Sequence, residues 1–355
     1  MKPMWTHSLM VLCFLVGTLA LAGCSGDPGA GDGTIRWRAQ SGISPSSWQY
    51  TDQFARFAEL VKERSGGRLE IQIFPPGTIV DAYEQFSAVA KKAIDMGMGV
   101  GGYNVKQVPE AYIEQGLFGT FSSLDDFVDF YIYYRDGAVY EILDAAYRDK
   151  GTHLLKSLGP SPLVLILKDP ITRLQQIRGL KIRGSGAAPD LITNLGAVPV
   201  TLAPAEVYIA LQTGTIDGVI MPSYTIGTIN LWDVAKGILG PPFGQVAGDM
   251  YVNLDSYNAL PEDLKKVVDE AAEEAMHHYV EAITQKMDEI MDLAQREHGV
   301  TVVNLSDAEY AGILQAAAPL LDTAASRSPR SEEIIVLMRE YLAEKGSPIS
   351  SFLTP

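Results

Sequence analysis

The sequence predicts an α/β protein made of two units braced by one long helix. Three observations carry this. A strand–helix–strand rhythm runs through residues 35–100, a second one runs through 163–222, and no Gly or Pro interrupts the chain from Glu262 to Glu297. Alternating strands and helices of this kind argue for an α/β sheet.

In the first unit, Ile35–Ala39 reads as a short strand. A helix follows over about Trp48–Glu63, with Phe54, Phe57, Ala58 and Val61 spaced i, i+3, i+4, i+7 on one face. Ser65-Gly66-Gly67 stops it. Leu69–Phe74 alternates apolar and polar residues, the mark of a strand with one buried face. Pro75-Pro76-Gly77 turns the chain into a helix near Ala82–Lys92, and Asp95–Val100 reads as a buried strand.

The second unit opens with the apolar strand Leu163–Leu167. Gly179–Arg183 is a further strand, then come a helix near Ala188–Leu195, a short strand at Pro199–Leu202 and a helix over about Pro204–Thr213. Asp217–Pro222 closes the pattern, with Asp217 expected to fix a turn or strand end. The long helix starts at Pro261, where a missing N–H costs nothing. Glu262 and Asp263 suit its positive end, and Gly299 is its stop. About 36 residues at ~1.5 Å each span about 54 Å, more than one compact unit. In the tail, one helix is expected at Glu332–Glu344.

The N-terminus indicates the compartment. Lys2 precedes an apolar run from Leu9 to Leu21, and small residues follow. This is the pattern of a secretory signal, and the run is shorter than the ~20 residues a membrane span needs. Leu21-Ala22-Gly23-Cys24 resembles a bacterial lipobox, which implies removal of residues 1–23 and acylation of Cys24. Residues 24–33 are then a flexible tether, rich in Gly and small polar residues. The only other cysteine, Cys13, leaves with the signal, so neither a disulfide nor a cysteine-bound zinc is expected. A net charge of −15 argues against nucleic acid as a partner, since that needs basic surface. It leaves room for an anion held by one buried cation.

Residues 179–222 carry a family resemblance. They read Gly-Leu-Lys-Ile-Arg-Gly-Ser-Gly, then Leu-Gly-Ala-Val-Pro-Val, then Pro-Ala-Glu-Val-Tyr-Ile-Ala-Leu-Gln-Thr-Gly-Thr-Ile-Asp-Gly, then Pro222. This resembles the solute-binding proteins of TRAP (tripartite ATP-independent periplasmic) transporters. Phe57–Val61, Ser65–Leu69, Ala93–Met96 and Leu260–Leu264 agree with it in order, and the likeness covers about residues 34–330. It implies a two-lobe periplasmic-binding-protein fold (type II-like) with a cleft between the lobes and a long helix spanning both. Lobe I would comprise 34–159 plus about 247–288, and lobe II 160–246 plus about 289–330, leaving 331–355 as a C-terminal extension. It also implies closure on a ligand and delivery to a membrane permease driven by an ion gradient, outside the cytoplasm.

The same resemblance places the family's carboxylate-clamping arginine at Arg183. The chemistry suits it: a guanidinium offers a planar fork of donors that matches a carboxylate, and Arg183 ends a strand before Gly184-Ser185-Gly186, where small residues let a ligand come close. Departures from the family narrow the ligand. Val219-Ile220-Met221 stands where dicarboxylate and sugar-acid binders often show Gln-Glu-Asn, and Gly159–Leu163 lacks a second arginine. Ile220 cannot ligate a cation, so no metal and no cofactor are expected. The expected ligand is a monocarboxylate with an apolar or aromatic body. Ligands of open α/β sheets sit at the carboxyl ends of strands, which brings Ser44–Trp48, Gly101–Asn104 and Met221–Tyr224 to the cleft. Trp48, Tyr103, Asn104, Met221 and Tyr224 are therefore candidate ligand-binding residues, the aromatic ones by stacking and hydrogen bonding.

No catalytic residues are expected. Gly184-Ser185-Gly186 has the wrong spacing for a nucleophile elbow, and His277 and His278, adjacent on a helix, do not face one another. Two other functions stand beside transport capture: a binding protein of another importer or of a sensor, and a periplasmic hydrolase.

Overall fold

The computed structural model describes residues 33–114 and 117–353. The signal segment, Cys24 and the tether lie outside them.

The strands join into one mixed sheet in the order β2-β1-β3-β9-β5-β8-β6-β7, with β4 and β10 added along β9. They are β1 (Ile35–Ser41), β2 (Leu69–Phe74), β3 (Met96–Val100), β4 (Thr152–Leu154), β5 (Gly159–Leu167), β6 (Lys181–Arg183), β7 (Val198–Val200), β8 (Gly218–Pro222), β9 (Gly237–Asn253) and β10 (Thr301–Asn304). All seven predicted strands are present within a few residues of the expected bounds.

Two strands tie the halves together. The C-terminal end of β9 lies antiparallel to β3, from Met96 opposite Val252 to Val100 opposite Gly248. Its N-terminal end pairs with β5 and, in parallel, with β10. The β5–β9 register slips between Leu163 and Leu165, where Gly244 and then Leu239 stand opposite. Pro241 and Pro242 fall in this slip and are exposed. Proline has no N–H for a ladder, so the strand bulges there and resumes beyond it.

The long helix, Glu262–Arg296, is the third tie. Its Leu264, Val268 and Ala271 pack with Trp37, Phe54 and Phe57 against β1, β3 and β9. Tyr279 and Ile283 join the central core. Ala294 lies with Val164, Ile166 and Val219 in the opposite half. One helix thus contributes to three separate hydrophobic cores, as its length required.

The first predicted helix begins as a π-helical turn, Tyr50–Ala55, and continues as an α-helix over Arg56–Arg64. Such wide turns cost hydrogen-bond geometry and are frequent at functional sites. Helical segments over 124–148 were not anticipated; the left-handed residues Arg135, Asp136 and Gly137 break their periodicity. The tail helix runs over Pro329–Lys345. It is no appendage, because Ile334, Ile335, Met338 and Tyr341 are buried in the central core and the Tyr341 hydroxyl donates to Asp129 at 2.9 Å.

Candidate functional site

A cavity of about 460 Å³ opens between the two halves of the sheet. Its walls come from the loop after β1, the start of the first helix, the turn after β2, the ends of β3, β6 and β8, and the loop after β7. Strand ends and the loops that follow them supply most of it, as the open-sheet rule leads one to expect.

Arg183 closes β6 and is 2% exposed, yet it lines this cavity. Two anchors fix the strand beneath it. Ile182 and Arg183 pair with Gly218 and Val219 of β8, and the Lys181 N–H donates to the Asp217 carboxylate at 2.7 Å. Asp217 is thus a strand-end clamp. The Arg183 guanidinium donates to the Leu202 carbonyl at 3.3 Å and to the Tyr83 hydroxyl at 3.5 Å. Both contacts are long, and among the described residues no carboxylate lies within ion-pair distance of it. A buried charge without a counter-charge is costly. It becomes favourable when an anion enters, because the charge-assisted hydrogen bonds then form in a low dielectric.

Tyr103 follows β3 and also lines the cavity. Burial pushes its phenol up to about 12, and the nearby Arg183 charge pulls part of the way back. It stays a neutral hydrogen-bond donor. Its ring meets that of Tyr83 edge-on, with centroids 5.2 Å apart. Gly42 faces the same ring, and a Cβ there would lie 3.5 Å from it.

Met221 and Tyr224 line the opposite wall, together with Ile220. The Tyr224 hydroxyl receives a hydrogen bond from Tyr279 of the long helix at 3.3 Å and lies 3.4 Å from Ser47 Oγ. Trp48 does not reach the cavity wall. It stacks on Tyr224, with centroids 5.1 Å apart and the planes 25° from parallel, so it supports a lining residue. Asn104 is also set back. Its amide donates to Asp249 at 3.0 Å and to Tyr147 at 3.3 Å within a buried polar cluster behind β3. Of the six candidates, then, the fold brings Arg183, Tyr103, Met221 and Tyr224 together at the cavity and places Trp48 and Asn104 behind it.

Gly184 also differs from expectation. A Cβ there would lie 2.6 Å from Ala188 Cβ and 2.9 Å from Ile192 Cδ1. Its small size admits the helix Ala188–Asn194, not a ligand. Ser47, within the predicted Ser44–Trp48 segment, lines the cavity, and the structure adds Gln49, Asp81 and Tyr208, which sequence reasoning passed over. Only proximity to Trp48 pointed toward Gln49. Among the described residues, no group of three or more His, Cys, Asp or Glu side chains is arranged to hold a metal.

Residues 40–328 match the family model of bacterial extracellular solute-binding proteins, family 7. The chain belongs to that family. It is accordingly an extracytoplasmic solute-binding protein of the TRAP type. A solute-binding protein of Albidiferax ferrireducens is 27% identical over 264 residues, covering 73% of this chain and 76% of the relative. The C4-dicarboxylate-binding periplasmic protein of Rhodobacter capsulatus is 25% identical, covering 77% and 81%. Among solved structures, a TRAP solute-binding protein from Desulfovibrio salexigens with bound orotic acid superposes with a TM-score of 0.81 at 21% identity, covering 87% of this chain and 99% of that one. These receptors share a two-lobe mixed α/β fold with this chain.

Proposed function

We propose that this protein captures a monocarboxylate with an apolar or aromatic body in the cavity at Arg183, closes its lobes on it and hands it to a TRAP-type permease driven by an ion gradient. The observation that carries the reading is the buried Arg183 guanidinium, without a carboxylate partner, on an otherwise largely apolar wall. It is the one Lys or Arg among the described lining residues, so one carboxylate is matched and a second would be left without a counter-charge. Asp81, the one lining carboxylate, is exposed and accepts from the Tyr83 N–H at 2.9 Å. Ile43, Leu163, Ile220 and Met221 suit a hydrocarbon or ring. The orotic acid in a relative of like fold, a ring bearing one carboxylate, supports the same ligand class.

The lobes of this reading are 34–159 with about 247–288, and 160–246 with about 289–330. Their junction falls where β5 and β9 run between the halves of the sheet. Arg183, Tyr103, Met221 and Tyr224 contact the ligand, with Trp48 and Asn104 in support. Removal of residues 1–23 and acylation of Cys24 would tether the receptor to a membrane outside the cytoplasm, and the protein would bind without turning over its ligand. The test is a calorimetric titration of soluble protein beginning after Cys24 with paired mono- and dicarboxylates. Tighter binding of the monocarboxylate in each pair supports the reading; tight binding of a C4-dicarboxylate refutes it.

A further inference from the structure

Gln49 sits at the start of the first helix, 1% exposed, and lines the cavity. Its amide is held in one orientation by a relay that begins at the strands joining the two halves. Gln53, one turn on, points its Nε2 at two carbonyls, Ser157 O at 2.5 Å and Gly248 O at 3.4 Å. Carbonyls only accept, so the nitrogen of Gln53 must face them and its Oε1 must face away. That Oε1 accepts from Gln49 Nε2 at 3.1 Å, and the Gly159 carbonyl accepts from the same Nε2 at 3.0 Å. Both hydrogens of the Gln49 amide are therefore committed. Flipping the amide would set its oxygen against the Gly159 carbonyl and the Gln53 oxygen. Gly159 and Gly248 stand opposite one another on β5 and β9, and neither tolerates a side chain. A Cβ on Gly248 would lie 2.0 Å from Gln49 Nε2, and one on Gly159 2.7 Å from Gln53 Oε1. The backbone is kept bare where the two amides grip it.

What remains of Gln49 is Oε1, an acceptor that takes no hydrogen bond from the protein among the described residues. Resting on the organic-acid reading above, we infer that Gln49 selects for a hydrogen-bond donor on the ligand body: the bound acid carries a hydroxyl or N–H group apart from its carboxylate. The carboxylate goes to Arg183 and the donor to Gln49. The relay gives the selection its strength, because an oxygen fixed in place by four carbonyl-type acceptors cannot turn its amide round to donate to an acceptor-bearing ligand instead. An acid without the donor leaves this oxygen desolvated and unpaired, and sites with such a commitment reject the lacking analogue.

The test uses matched acids: mandelate against phenylacetate, 4-hydroxybenzoate against benzoate, and pyrrole-2-carboxylate against furan-2-carboxylate. They are titrated within a wider carboxylate panel against wild type and Gln49→Met. Wild type is expected to bind the donor-bearing member roughly ten- to a hundredfold more tightly, the range that one unpaired buried acceptor spans. In Gln49→Met the two members should bind alike. The wild-type comparison needs no variant, so it decides the matter even if Gln49→Met fails to fold. Equal binding within the pairs, with a water satisfying Oε1 in both complexes, overturns the inference and leaves the acid reading intact. So does a panel whose tightest acid has no donor. If no carboxylate binds at all, the acid reading itself falls, and this inference with it.

Discussion

Replacing Arg183 with Met separates its cost to the empty protein from its value to the complex. Met keeps an unbranched apolar side chain and removes the charge. In the unliganded protein the variant loses two long hydrogen bonds, to Leu202 O and the Tyr83 hydroxyl, and the interaction with the Tyr103 phenol, and sheds a buried charge that no carboxylate among the described residues balances. Apolar replacements of buried ionic groups are often neutral or stabilising by ~1–4 kcal/mol. About 320 folded residues at ~2.1 cal/mol/K each give an unfolding entropy of ~0.7 kcal/mol/K. On that scale the variant's unliganded Tm should hold or rise by up to ~6 °C. The complex behaves oppositely. A ligand at ~100 times its Kd stabilises by ~2.7 kcal/mol, or ~4 °C here. Losing a buried charged hydrogen-bond partner costs ~2–5 kcal/mol of affinity, or ~30- to several thousand-fold. At the same ligand concentration Arg183→Met should then keep at most about a third of the wild-type shift. Differential scanning calorimetry with and without the acid reads both effects. A variant that unfolds several degrees below wild type without ligand, yet shifts equally with it, would show that Arg183 is a structural residue and that the anion sits elsewhere.

Three other predictions use different parts of the structure. Gly184→Ala should lower stability by ~1–3 kcal/mol in denaturant titrations, the usual cost of overpacking, since its Cβ would press on Ala188 and Ile192. The second concerns Glu114 and Asp249, buried carboxyls bridged by the Tyr147 hydroxyl. Burial first, and then their mutual repulsion, holds Glu114 well above the ordinary carboxylate range, and burial also raises Asp249. A raised folded-state pKa means that the folded protein binds more protons than the unfolded chain above the ordinary range. Stability is then fully present at low pH and is lost as pH rises, here between about pH 5 and 8. Chemical denaturation across that range should show the decline, and Asp249→Asn should flatten it. Trp48→Ala should weaken ligand binding about three- to tenfold while sparing Arg183-dependent selection, because Tyr224 loses a stacking partner of the ~0.5–1.5 kcal/mol kind. An affinity unchanged by calorimetric titration would remove Trp48 from the supporting set.

Much of this protein is legible along the chain because its signals are local. The 3.6-residue spacing of Phe54, Phe57, Ala58 and Val61, the alternation of Leu69–Phe74 and the unbroken run to Arg296 each reflect a segment burying one face or spanning one length. Seven strands and the long helix followed from such patterns, and the block around Arg183 pointed to the family. The longest strand did not follow. Gly240-Pro241-Pro242 reads locally as a turn, and only pairing with β5, β3 and β10 makes Gly237–Asn253 extended. The roles within the site were also beyond the sequence. Tyr103 and Asn104 are adjacent, yet one lines the cavity and the other is drawn back by Asp249, 145 residues away. Gln49 looked like any helix-start glutamine until Gly159 and Gly248 were brought against it. Sequence by itself determined which segments are strands and helices, and that an arginine ends the strand Lys181–Arg183, because those depend on neighbours within a few residues. Tertiary structure decided which polar groups are left without a partner, because pairing joins residues that only the folded sheet brings together.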